Sequence, residues 1–433
     1  MEPLAIGIIG VVICFALIFL GAPIPVATIA VSVVGVFWLY DAHVLGVVLK
    51  LFGYTLVADF SLSVIPLFVL MGLILFYCGV GEEIFTAVRN WVGHFRGGLA
   101  IATTAACAAF GTCTGSSQAT AAIMAKIAYP EMRKAGYQPE LAFGVVAASG
   151  TIAAMIPPSI TIVLYGVIAR LGVGKVLIAG FTGGIVSALI YMVMIVGRVM
   201  LNPSLASSLS PPPWRPRLIS LRYLVPPIIM FLILIGGMYI GVFTPTEAGG
   251  MAAVVAFMVA LATRRLTWAR LRESLLETIQ VTLMVLILFV GIVFFTRFLC
   301  YSRVIIAFVN LALSFPSPLI TLVLMFAIYV ILGMFLGTLG MLMITTPVFL
   351  PAAVALGYDP IWFGIIAIKM CEIAWITPPV ALNVYVAQAL IKELPLERAF
   401  KAVIPFLVCD ILTLILFIAF PQVILFLPNM MAD

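Results

Sequence analysis

The chain has 433 residues, 65% hydrophobic and 9% charged, with a formal net charge of +6. Soluble domains carry roughly 25% charged residues, so this composition excludes a soluble globular protein and describes a helical chain with room for about ten to twelve membrane spans. In such a chain surplus Lys and Arg mark cytoplasmic loops rather than nucleic-acid binding.

An apolar run at about 4–20 lacks a basic leader and a cleavage site, so it reads as a retained span. Gly21-Ala22-Pro23-Ile24-Pro25 is a turn, about 24–40 returns, and a loop with Asp41, His43 and Lys50 leads to a third span at about 54–78. From Gly81 to Arg96, apolar Ile84, Phe85, Val88, Trp91, Val92 and Phe95 recur at three- and four-residue spacing. That pattern predicts an amphipathic helix. Residues 98–129 are too short for two full spans, and they surround Gly111-Thr112-Cys113-Thr114-Gly115-Ser116-Ser117; a re-entrant helical hairpin fits. Lys126 to Glu140 is a polar return. The apolar stretch 141–169 is cut by Pro157-Pro158, which breaks it into two half-helices. A span at about 175–199 follows, then a linker from Asn202 to Arg222 and an extra span at about 223–243.

The pattern then restarts. Pro130, Gly136, Tyr137, Pro139, Pro157 and Pro158 recur as Pro351, Gly357, Tyr358, Pro360, Pro378 and Pro379, each 221 residues later. The second copy holds spans at about 246–263 and 274–298, an amphipathic echo from Arg303 to Ser314, a hairpin at about 318–354 around Gly333–Gly340, a broken helix at about 359–391 and a last span at about 399–427. The expected organisation is an N-terminal span (1–23), a first repeat (24–199), a linker with an extra span (200–245) and a second repeat (246–433). The offset is five spans, an odd number, so the second copy is inserted upside down. The fold class is therefore an all-α polytopic membrane protein of two inverted repeats, each with a re-entrant hairpin and a Pro-Pro broken helix, the plan of secondary transporters. This topology puts 16 Lys and Arg on one side and 5 on the other, which with Lys369 inside a span accounts for all 22. The larger share assigns that side to the cytoplasm and both termini to the outside, which is the periplasm if the chain is bacterial.

Each hairpin tip faces the break of its own repeat. Freed carbonyls and nearby hydroxyls suit a sodium ion. Ser116, Ser117, Gly150, Thr151 and Pro157 form one candidate cation site; Gly337, Thr338, Glu372, Thr377 and Pro378 form the other. Half-helix N-termini at the same breaks favour an anion, with Gly115, Ser116, Ser159, Gly340, Pro379 and Asn383 as the substrate candidates. Charges at membrane depth are costly and point to function. Glu372 stands beside the second break, and Glu247, Lys369, Asp59 and Asp410 are the others. Seven cysteines form no C-x-x-C pair and only His43 and His94 are present, so neither a metal cluster nor histidine catalysis is indicated. The chain lacks a G-x-x-x-x-G-K-[ST] loop for ATP, and it has neither a nucleophile–base pair nor the charge rings of a channel.

The stretches Gly115 to Met132, Gly150 to Ile160, Gly333 to Leu336 and Glu372 to Asn383 resemble the large membrane subunit of tripartite ATP-independent periplasmic (TRAP) transporters, over nearly the whole chain. The resemblance implies a sodium-driven importer of an organic anion, carboxylate or sulfonate, in the bacterial inner membrane. It also implies two partners, a small four-span membrane subunit and a periplasmic substrate-binding protein, and an elevator motion of hairpins and broken helices against a scaffold. The sequence departs from the family where an acidic residue commonly follows Met-Phe-Leu: Gly337 stands there, followed by Thr338. Glu372 could compensate. A stand-alone sodium/anion symporter that needs no binding protein is the alternative reading.

Overall fold

Every regular element in the computed structural model, which describes residues 2–40, 43–46, 60–333 and 335–431, is helical. The loop around Lys50 and the start of the third expected span, with Asp59, lie outside the described residues. The helices follow the Gly/Pro punctuation. Proline sits in the first turn of Pro3–Phe19, Ile24–Leu39, Pro139–Ala153, Pro245–Ala262 and Pro360–Ala374, where its missing N–H would be unpaired in any case. Gly136 and Gly357, at φ 80° and 89°, end the two second hairpin arms in the left-handed conformation.

The repeat is visible in the helix ends. Ile24–Leu39 and Pro245–Ala262, Ser117–Lys134 and Thr338–Ala355, and Pro139–Ala153 and Pro360–Ala374 each begin 221 residues apart. Gly98–Thr114 and Ser117–Lys134 are the arms of the first hairpin, and Pro318–Gly333 and Thr338–Ala355 those of the second. Pro139–Ala153 with Ile160–Ile168, and Pro360–Ala374 with Leu382–Ile391, are the broken helices. The Pro157–Pro158 and Pro378–Pro379 bonds are both cis. Seven helices among the described residues are long and apolar enough to span a membrane. The number falls below ten because each broken helix is two short pieces, and Pro3–Phe19 and Ile24–Leu39 fall just short at 17 and 16 residues.

Two expectations need correction. The first hairpin's second arm does not end at residue 129: its helix continues through Pro130 to Lys134. Ion pairs on the last turns support the arm there, Arg89 to Glu131 at 2.8 Å and Arg133 to Glu393 at 2.7 Å. The segment 202–222 is not all linker. Trp214–Ser220 is helical and docks on the amphipathic helix Val80–Val92, where the Trp91 indole donates to the Arg217 carbonyl at 3.2 Å and Arg217 lies 3.4 Å from His94 Nδ1. His94 is thus a packing partner of the segment joining the repeats.

Helices Pro3–Phe19, Ile24–Leu39, Phe60–Tyr77, Pro245–Ala262 and Trp268–Tyr301 pack on one another as a scaffold. Hairpins and broken helices, with Val173–Leu201 and Leu396–Ala419, form a second body that repeats 1 and 2 build together. The Tyr165 hydroxyl donates to the Pro360 carbonyl at 2.6 Å, and the Tyr129 hydroxyl to Glu393 at 2.6 Å. A Cβ on Gly144 would stand 2.4 Å from the Ala402 carbonyl, so the first broken helix and the last long helix touch at backbone distance. Scaffold and second body meet across glycines. A Cβ on Gly72 of the scaffold would lie 2.4 Å from the Cys113 carbonyl of the first hairpin; one on Gly340 of the second hairpin would lie 2.3 Å from Ile24 Cδ1 of the scaffold.

Candidate functional site

The first tip is tight, with only Gly115 and Ser116 between its arms. Gly115 has φ 57°, and a Cβ there would fall 2.0 Å from the Pro158 carbonyl. The tip therefore rests directly on the proline break. Gly150 is closed in the same way, with the Ser117 carbonyl 2.8 Å from where its Cβ would be. Ser116 and Ser159 are N-caps: Ser116 Oγ accepts from the Ala119 N–H and Ser159 Oγ from the Ile162 N–H, both at 3.4 Å. Thr151 Oγ1 donates to the Ala148 carbonyl at 2.7 Å, and Thr377 Oγ1 to the Ile373 carbonyl at 2.7 Å. With their protons spent on their own helices, these threonines have oxygen lone pairs left for a cation.

The two candidate cation sets are not separate. Glu372, on Pro360–Ala374, is buried and its carboxylate takes a hydrogen bond from each hairpin: the Ser117 hydroxyl donates to Oε2, and the Thr338 hydroxyl donates to Oε1 at 3.3 Å. Ser117 starts the second arm of hairpin 1, and Thr338 that of hairpin 2. One carboxylate thus joins both repeats at their tips. It has no Lys or Arg ion pair among the described residues, and the partners that bond it, Ser117 and Thr338, are neutral hydroxyls. A buried carboxylate in that position is stabilised by a proton or a cation, and the oxygens around it are the donor set a hard cation takes.

The breaks differ. Pro157, Pro158 and Ser159 are buried, whereas Gly337, Pro378 and Pro379 are exposed. At the second break Asn383 is fully buried, yet among the described residues neither its Nδ2 nor its Oδ1 has a partner; the Trp375 Nε1 is also buried and unpaired there. Asn383 N–H donates to the Trp375 carbonyl at 3.1 Å, and Trp375 Cζ2 lies 3.9 Å from where a Gly337 Cβ would stand. A buried polar group left unmade costs about 1–3 kcal/mol. Two donors and an acceptor gathered in this way suit the polar end of a ligand. Trp375 was not among the sequence candidates, since a tryptophan in an apolar run is read by default as packing.

The remaining candidates divide. Gly340 packs on Ile24 and so lies on the scaffold seam. Pro379 offers its carbonyl, which accepts from the Tyr385 hydroxyl at 3.3 Å. Of the other charges at depth, Glu247 is a helix cap: it and Thr244 form a capping box at the start of Pro245–Ala262. Lys369 and Asp410 pair with each other at 2.6 Å.

Comparison with known proteins agrees with this architecture. A family model for the tripartite ATP-independent periplasmic transporter, DctM component, matches residues 11–423. The C4-dicarboxylate TRAP transporter large permease protein DctM of Pseudomonas aeruginosa is 35% identical over 374 residues, 86% of each chain. The sialic acid TRAP transporter large permease protein SiaM of Vibrio cholerae is 31% identical over 375 residues, 86% of this chain and 87% of its own. The crystal structure of the Alcanivorax borkumensis YdaH transporter matches with a TM-score of 0.61 over 88% of this chain and 90% of its own, at 16% identity, a likeness of fold. Hairpins, broken helices and a family match over nearly the full length lead to one conclusion: the chain belongs to the TRAP transporter family as its large, DctM-type membrane component.

Proposed function

We propose that the chain is the sodium-coupled membrane engine of an importer for a small organic anion, a carboxylate or sulfonate, working in the inner membrane with a small four-span subunit and a periplasmic binding protein. The observation that carries this reading is the convergence of both hairpins on Glu372. Sodium would be held by Glu372, Ser117 and Thr338 with the lone pairs of Thr151 and Thr377. The anion would sit at the second break, its charged end toward the N–H groups of Asn383 and Trp375. The names of the two relatives, one for C4-dicarboxylates and one for sialic acid, support a carboxylate. Cation and anion partly neutralise each other, which lowers the cost of carrying either through the membrane. The hairpin-bearing body would slide along the scaffold across the glycine seam, carrying both. Each net charge that crosses 100 mV supplies about 2.3 kcal/mol.

The test is uptake of a labelled C4-dicarboxylate or sulfonate into proteoliposomes holding the chain and its four-span subunit. An inward sodium gradient is imposed, with and without the binding protein. Uptake that requires both is the expected result. Uptake with sodium alone would make the chain a stand-alone symporter, and flux independent of the sodium gradient would refute the coupling.

A further inference from the structure

Lys369 and Asp410 form a buried ion pair that the proposed transport cycle does not use. Lys369 Nζ is 2.6 Å from Asp410 Oδ1, with the two side chains 1% and 0% exposed. The Tyr191 hydroxyl donates to the same oxygen at 2.8 Å, and the Lys369 ammonium is 5.7 Å from the Tyr191 ring centre. Asp410 Oδ2 has no donor among the described residues. The three side chains come from three helices, Pro360–Ala374, Leu396–Ala419 and Val173–Leu201.

The position of Lys369 gives the pair its interest. It lies three residues before Glu372 on the same helix, and side chains at that spacing are neighbours. Lys369 and Asp410 are both near enough to act on the charge of Glu372. Glu372 bonds to Ser117 and Thr338, while the Lys369 ammonium bonds to Asp410. Removing one partner of a buried pair leaves the other to find a new counter-charge, and for Lys369 the carboxylate one turn away on its own helix is Glu372.

We propose that Asp410, seated by Tyr191, is a positioning residue that keeps the Lys369 ammonium off Glu372, so that this carboxylate stays open to the coupling cation. The proposal rests on Glu372 being a cation ligand. An ammonium and a sodium ion carry the same charge and seek the same oxygens, so a freed Lys369 is a tethered competitor of sodium. A pair with a purely structural role would affect folding and leave sodium affinity alone.

The experiment uses the full chain with its four-span subunit. Sodium is titrated against choline at constant ionic strength, with the rise in unfolding temperature as one readout and the sodium dependence of uptake as the other. Asp410→Asn is expected to raise the sodium half-saturation at least about tenfold. The double variant Lys369→Met with Asp410→Asn, which lacks the competitor, is expected to return it to within about threefold of wild type. Tyr191→Phe removes one of the bonds seating Asp410 and is expected to shift it about two- to fivefold the same way, a comparison that survives if Asp410→Asn does not fold. An unchanged half-saturation in Asp410→Asn or in Tyr191→Phe, beside a wild type that responds to sodium, overturns the proposal, as does a double variant no better than the single one. A wild type that does not respond to sodium overturns the cation reading of Glu372 itself, and this proposal with it.

Discussion

Glu372 is where the chemistry of individual residues weighs most. Glu372→Gln keeps the size and an acceptor but loses the charge. It is expected to cut sodium-driven uptake by at least about tenfold and to lower the cooperativity of the sodium curve, measured in proteoliposomes with purified protein. Asn383 offers a sharper separation of binding from folding. Its amide has no partner to lose among the described residues, so Asn383→Leu removes a buried unsatisfied group worth about 1–3 kcal/mol. It is expected to leave the unfolding temperature unchanged or raised while anion uptake falls; a lowered unfolding temperature would mean that the amide is part of the packing. That Glu372 stands out beside the second break was legible in the sequence, because a carboxylate at membrane depth is rare; that it meets both hairpins was not. Nor were Trp375 and Tyr191. Aromatic residues in apolar runs pack far more often than they bind, and only the folded chain shows which N–H lacks a partner and which hydroxyl seats an aspartate.

Helices and hairpins followed from glycine and proline, whose backbone limits are local and survive any tertiary context. This is why the 221-residue offset reappears in three pairs of helix starts. Contacts between elements distant in sequence leave no such trace. Helix Trp214–Ser220 docking on Val80–Val92, and the hairpin arm running on through Pro130, depend on partners far along the chain. One such contact joins the repeats: Glu393, just past the second broken helix, accepts from Tyr129 and Arg133 of the first hairpin. Its carboxyl is held below the ordinary glutamate range, first by the Arg133 hydrogen bonds and then by the Tyr129 hydroxyl. A depressed carboxylate stabilises the fold above its unfolded value, and that stability is lost as the pH falls through the lower folded value. The clasp is therefore expected to weaken only as the pH drops below about 4.3. Glu393→Gln should flatten that part of the unfolding profile. Glu393 is 40% exposed, so the loss at neutral pH is expected to be about 0.2–1 kcal/mol, read by thermal unfolding across pH.

For the whole molecule, the proposed elevator is a statement about the seam between the two bodies. Ile24 and Gly340 face each other across it. A disulfide between Ile24→Cys and Gly340→Cys is expected to form on oxidation, stop uptake and release it on reduction; uptake that persists in the crosslinked protein would place the moving boundary elsewhere. The seam has a further consequence, for rate. Interlocked side chains must climb over one another when helices slide, whereas Gly72 and Gly340 present bare backbone on opposite sides of the same boundary. Methyl groups there would collide with the Cys113 carbonyl and with Ile24 in the arrangement described, so they would push the two bodies apart at rest as well as in passage. In the proposed elevator the two glycines would therefore set how closely the bodies rest together, and a chain altered only at them would be expected to shift the balance between end states and to carry its cargo more slowly.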